Sequence, residues 1–171
     1  MSANPKAATS RLAAELLRPM TLAALDGVVA LEAAIYPFPW TRGNFVDSLA
    51  AGYVTWTLNG SGGELIAYCV AMPGAGEMHL LNITVAPVAR RRGHARRLLA
   101  ELVALCREER ADRLWLEVRE ANLDAQLTYR RLGFAQVGVR KDYYPAPDGA
   151  REDAVVMSLG IDAARGFDAL E

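Results

Sequence analysis

One segment constrains the fold more than any other. It runs from "LLNITV" through an arginine-rich turn around Gly93 and the stretch "GHARRLLAELVALCREERA" to "RLWLEV". Its first and last pieces are aliphatic and β-branched, as buried strands are. The middle piece repeats apolar side chains at helical spacing, through Leu98, Leu99, Leu102, Leu105 and Cys106, with charges on the other face. Strand, amphipathic helix and strand in this order need a parallel crossover, which is right-handed in nearly all proteins. Within "RLWLEVRE" the alternation sends Leu114, Leu116 and Val118 to one face, and Trp115, Glu117 and Arg119 to the other.

The flanking sequence extends this unit into an α/β fold. "LLRPMTL" reads as a short first strand, and "AALDGVVALEAAIY" as a helix that must stop at Pro37 and Pro39. "TRGNFVDSLAAG" predicts a second helix, with Thr41 as N-cap and Gly52 at its C-terminal end. "YVTWTL", "ELIAYCVAM" and "MHLLNITV" are strands separated by loop signals, consistent with an antiparallel meander. After "RLWLEV", Asn122 caps a helix "LDAQLTYRRLG" closed by Gly133, and two further strands follow. The expectation is a mixed sheet of about six or seven strands with about four helices. Residues 1–18 are expected to form an N-terminal arm, 19–160 a single domain, and 161–171 a tail frayed over its last ten residues.

The composition excludes several classes. The formal net charge is −1, so the arginines are a local feature, and a general nucleic-acid binder would be strongly basic. Cys69 and Cys106 lie in apolar segments without metal-ligand or disulfide spacing, and His79 and His94 are too few and too separated for a metal site. We therefore expect no metal and a reduced, cytoplasmic setting. No continuous apolar run marks a leader or a membrane span.

The arginine turn points to an anion. The first turn of a helix offers unpaired N–H groups and the positive end of the macrodipole. Gly93 permits a tight turn and removes a side chain where a ligand approaches, Ala95 is small, and arginines are bidentate donors to phosphate oxygens. The same residues would also serve as a solvated helix start. Two side chains elsewhere suit proton transfer. Glu117 lies between two apolar residues in a strand, where burial favours a carboxylate that accepts protons. It would equally suit an exposed face, paired with Arg119. Tyr129 carries a phenol protonated at neutral pH, fit to protonate a thiolate, and would otherwise be a core aromatic beside Leu127 and Phe134.

The ordered set "PFPW", "LLNITV", "RRRGHA", "LWLEVREAN", "YRRLGF", "DYYP" and "EDAVVMSL" resembles the GCN5-related N-acetyltransferases, within them the RimI-type ribosomal-protein-alanine N-acetyltransferases. Arg90, Gly93 and Ala95 occupy the places of that superfamily's acetyl-CoA signature, and the similarity runs from about Leu22 to Gly160. The resemblance implies acetyl-CoA as co-substrate, held by Ile83, Thr84 and Val85 at the strand end, by Arg91, Arg92, Gly93, His94, Ala95 and Arg96 around the pyrophosphate, and by Asn122. It implies Glu117 as proton acceptor and Tyr129 as proton donor. The aromatic loops carrying Phe38 and Trp40, and Tyr143 and Tyr144, look like the two walls of a peptide groove, although hinge packing would also explain Trp40.

The acceptor amine follows partly from chemistry. A peptide α-amino group has a pKa of about 8 against about 10.4 for lysine, so deprotonating it at neutral pH is easier by roughly 3 kcal/mol. This favours a protein N-terminus, and the resemblance implies the N-terminal alanine of the eighteenth small-subunit ribosomal protein. A lysine or small-amine acetyltransferase, a non-catalytic acyl-CoA-binding module and a nucleic-acid binder are the alternatives. Cys106, mid-helix on the apolar stripe, is read as core, so direct attack is expected in place of a ping-pong route.

Overall fold

The computed structural model describes residues 15–164 and 167. Among these residues there are seven strands and four α-helices. The strands are β1 (Leu16–Pro19), β2 (Val54–Asn59), β3 (Leu65–Pro73), β4 (Glu77–Val85), β5 (Arg113–Arg119), β6 (Ala135–Pro145) and β7 (Arg151–Gly160). The helices are α1 (Leu25–Ile35), α2 (Arg42–Ala50), α3 (His94–Glu108) and α4 (Leu123–Arg131). The strands are hydrogen-bonded in the order β1-β2-β3-β4-β5-β7-β6. The expected crossover is present: β4 and β5 are parallel, with His79 opposite Trp115 and Leu80 opposite Leu116. The α/β class and mixed sheet are as the sequence predicts.

The chain forms two compact units, one of residues 15–70 and 83–95, the other of 71–82 and the residues from 96 onward. In the first, α1 ends where Pro37 and Pro39 forbid it to continue. Thr41 caps α2 as expected: its hydroxyl accepts from Asn44 N–H, and the Asn44 side chain returns to the Thr41 N–H. Gly52 follows α2 at φ 73°, a left-handed position that favours glycine. Leu25, Val28, Phe45, Leu58 and Tyr68 are fully buried.

The second unit is built on α3 and β5. Leu98, Leu99, Leu102, Val103 and Cys106 are inaccessible, as is Leu114, with Leu116 and Val118 nearly so. Leu105, read as part of the stripe, is only half-buried, and Val103 takes its place because the helix turns about 100° per residue. Burying each such side chain contributes roughly 1.5–3 kcal/mol, more than helix propensity could. The other face of β5 carries Arg113, Trp115, Glu117 and Arg119.

Two expectations need adjustment. β1 begins at Leu16, as the reading of "LLRPMTL" as a strand predicts, so the arm expected over 1–18 gives way to strand in its last three residues; Leu16 to Pro19 pair antiparallel with Asn59 to Trp56 of β2. Residues 1–14 lie outside the described residues. Within the segment expected to be a tail, Ile161, Ala164 and Phe167 are each at most 5% exposed, apolar groups drawn out of water.

Candidate active site

The arginine turn belongs to the first unit. After β4 a short 3-10 turn, Pro87–Ala89, reverses the chain, and Arg90 returns its Nε to the Val85 carbonyl at 3.4 Å. Two residues then take left-handed backbone, Arg91 at φ 59° and Gly93 at φ 85°. A non-glycine residue at positive φ is uncommon and concentrates at functional loops. A Cβ at Gly93 would meet nothing within 4 Å, so the loop presents open space above its own backbone. Arg91, Arg92 and Gly93 are exposed, Ala95 is half-buried, and the His94 ring turns inward, 4% exposed, with Nδ1 3.4 Å from Glu15 Oε2. His94 therefore offers a ligand its backbone and not its imidazole. Exposed guanidinium groups beside a helix start with a bare glycine fit a pyrophosphate. Arg96, in the second unit, is half-buried on the first turn of α3.

At the end of β4, Ile83 and Val85 are half-buried while Thr84 is buried, its hydroxyl 2.9 Å from the Tyr36 hydroxyl. That contact leads into a buried polar cluster the sequence reading did not single out. Glu32 completes the inward stripe of α1 after Leu25 and Val28, and is only 2% exposed. Its carboxylate accepts from the Tyr68 hydroxyl and, at 2.9 Å, from the Trp40 backbone N–H. Burial and then the Glu32 hydrogen bond hold the Tyr68 phenol far above the ordinary tyrosine range, so it stays a neutral donor. Glu32 thus fastens the aromatic loop by its backbone, while the Trp40 ring packs 5.3 Å from Phe45. Phe38 is 41% exposed. Glu32→Ala would strand two donors in the interior and should cost about 3 kcal/mol, a fall of roughly 6–12 °C in melting temperature by calorimetry. A change under about 2 °C would show that the cluster does not hold the loop.

Glu117 lies in the second unit with its side chain 5% exposed. It borders an open cavity of about 310 Å³, together with His79, Trp115, Glu77, Arg140 and Met72. Oε2 is 2.5 Å from His79 Nε2. Oε1 lies 3.3 Å from Arg140 Nε in an ion pair, yet it is buried without a hydrogen-bond partner. The pairing with Arg119 considered from sequence does not form. Arg119 instead binds Glu152 at 2.8 Å and the Pro145 carbonyl at 2.9 Å, and its guanidinium lies 4.6 Å from the Tyr144 ring centre. Glu152 also accepts from the Ala121 N–H at 2.9 Å, and these contacts hold its carboxyl below the usual range. Together they seat the second aromatic loop. Tyr143 and Tyr144 pack edge-on at 4.9 Å, and both phenols are pushed up, first by burial and further by the Glu117 charge.

Tyr129 is half-buried on α4, its ring 5.6 Å from Phe134. Leu127, the neighbour in the alternative reading of Tyr129 as a core aromatic, is 45% exposed. Asn122 caps α4 through Oδ1, which accepts from Ala125 N–H at 3.2 Å. This is the capping role its position before the helix predicts. Cys69 and Cys106 are fully buried, and burial pushes their thiols up to about 12 and about 11, so neither is a thiolate nucleophile. Among the described residues no group of His, Cys, Asp and Glu could hold a metal, and no helix is long and apolar enough to cross a membrane.

His79, Arg140 and Glu32 went unassigned in the sequence reading. His79 is the informative case, since only the β4–β5 register brings it beside Glu117. A single sequence does not carry that register.

Comparison with known proteins gives the family. Residues 25–134 match the acetyltransferase (GNAT) family. The chain is 36% identical over 129 residues to the [ribosomal protein bS18]-alanine N-acetyltransferase of Haemophilus ducreyi, covering 75% of this chain and 88% of that one. It is 35% identical over 137 residues to the Escherichia coli enzyme of the same name, covering 80% and 91%. The crystal structure of the ribosomal-protein-S18-alanine N-acetyltransferase from Escherichia coli superposes with a TM-score of 0.78 at 32% identity, over 86% of this chain and 94% of that one. The chain belongs to the GNAT acetyltransferase family, whose co-substrate is acetyl-CoA.

Proposed function

We propose that this protein is a cytoplasmic, acetyl-CoA-dependent N-terminal acetyltransferase that modifies the N-terminal alanine of ribosomal protein bS18. We further propose that residues 19–160 work as one catalytic domain. The observation that carries the reading is Glu117, a carboxylate shielded from water at the edge of an open cavity, with one oxygen fixed and the other without a hydrogen bond. Relatives of the same name align over at least three-quarters of the chain and support the substrate.

The chemistry follows from the residues. The substrate ammonium gives a proton to Glu117 Oε1, so an N–H bond breaks and an O–H bond forms. The freed nitrogen lone pair attacks the thioester carbonyl in a ternary complex. Collapse of the tetrahedral intermediate breaks the C–S bond, the departing thiolate takes the Tyr129 phenolic proton, and the acylated nitrogen gives up its second proton to the Tyr129 phenolate, leaving a neutral amide and a restored phenol. Backbone groups of Ile83, Thr84 and Val85 orient the acetyl arm. Arg91, Arg92, Gly93, His94, Ala95 and Arg96 receive the pyrophosphate, and Asn122 adds a donor. Phe38, Trp40, Tyr143 and Tyr144 contribute the apolar walls of the peptide site.

The test is incubation with acetyl-CoA and short peptides differing at the first residue, beside a peptide blocked at its N-terminus but carrying lysine. Mass spectrometry should place the acetyl group on the α-nitrogen, with the bS18 N-terminal peptide turned over fastest. Acetylation of the lysine peptide alone would reject an N-terminal substrate in favour of a side-chain amine.

A further inference from the structure

We propose that His79 is a positioning residue for Glu117, donating from Nε2 to Oε2 so that Oε1 alone is presented to the acceptor amine. This rests on the reading of Glu117 as proton acceptor.

A glutamate has three rotatable bonds and two equivalent oxygens, so one beside an open cavity needs an outside group to select its rotamer. Two cavity residues touch it. Arg140 Nε lies 3.3 Å from Oε1 without forming a hydrogen bond, and its side chain is 53% exposed on a strand whose register shifts at Arg140. His79 Nε2 is 2.5 Å from Oε2, on a planar ring with two rotors, in regular β4 beside regular β5. The better-held contact is therefore the histidine.

The choice of donor also suits a base. A guanidinium hydrogen-bonded to a carboxylate stabilises the charged form and weakens it as a proton acceptor, and Arg140 makes no such bond to Oε1. The His79 side chain is 24% exposed. Glu77, Arg140, Tyr143 and Tyr144 are the other ionisable groups around the pair.

Three measurements on the full chain test this. In the wild type, ¹⁵N spectra of the His79 ring should show a proton on Nε2 held in a hydrogen bond to Glu117; an Nε2 without a proton overturns the proposal. His79→Ala should lower kcat roughly 10–100-fold while KM for acetyl-CoA stays within about twofold, the signature of a misplaced reacting group. His79→Gln, whose amide N–H reaches the same place, should recover most of the loss. Full turnover in His79→Ala, or equal loss in both variants, sinks the idea. Glu117→Gln run alongside keeps the two readings apart. If it turns over at the wild-type rate, the catalytic role of Glu117 fails, whereas the proton on Nε2 still reports whether the pair exists.

Discussion

Glu117→Gln is expected to lower kcat for peptide acetylation by roughly 10²–10⁴-fold, the range a positioned general base contributes. The amide keeps the volume and still accepts from His79, so the fold and the melting temperature should be little changed. It cannot take a proton from an ammonium, however. Because the loss lies in the chemical step, KM for acetyl-CoA should hold while kcat and kcat/KM fall together. Raising the pH should restore part of the rate, since a larger share of the α-amine then arrives already neutral, with a pKa of about 8. A variant as active as the wild type at pH 7 would remove Glu117 from the mechanism.

Gly93→Val should damage acetyl-CoA binding with little effect on anything else. At φ 85° the backbone is left-handed, where a β-branched residue is strained by roughly 1–2 kcal/mol. The added methyl groups would also fill the open space that the proposed function gives to a pyrophosphate. The two effects should raise KM for acetyl-CoA at least about tenfold. Titration calorimetry with coenzyme A separates binding from turnover, and an unchanged Kd would move the cofactor off this loop.

Much of this architecture is legible in the sequence, for reasons visible in particular residues. Pro37, Pro39, Thr41, Gly52, Gly93 and Gly133 each act through local backbone geometry, which a short stretch encodes completely. The α3 stripe and the alternation in β5 are equally local. What escaped depends on register and on partners distant in the chain. Glu32 reads as an ordinary helical glutamate until Tyr68 and the Trp40 N–H surround it. His79 faces Glu117 only because β4 and β5 pair in one register out of several. Arg119, adjacent in sequence and of the right charge, invited the wrong partner. Asn122, by contrast, caps α4 as its place before "LDAQLTYRRLG" predicts.

The two sealed thiols have a practical corollary. With Cys69 and Cys106 both inaccessible and too weakly acidic to ionise near neutrality, a colour-forming disulfide reagent finds no sulfhydryl on the native enzyme. Every equivalent it records during turnover is coenzyme A set free, so a continuous assay starts from a zero baseline. A slow rise without peptide would then report unfolding or thioester hydrolysis.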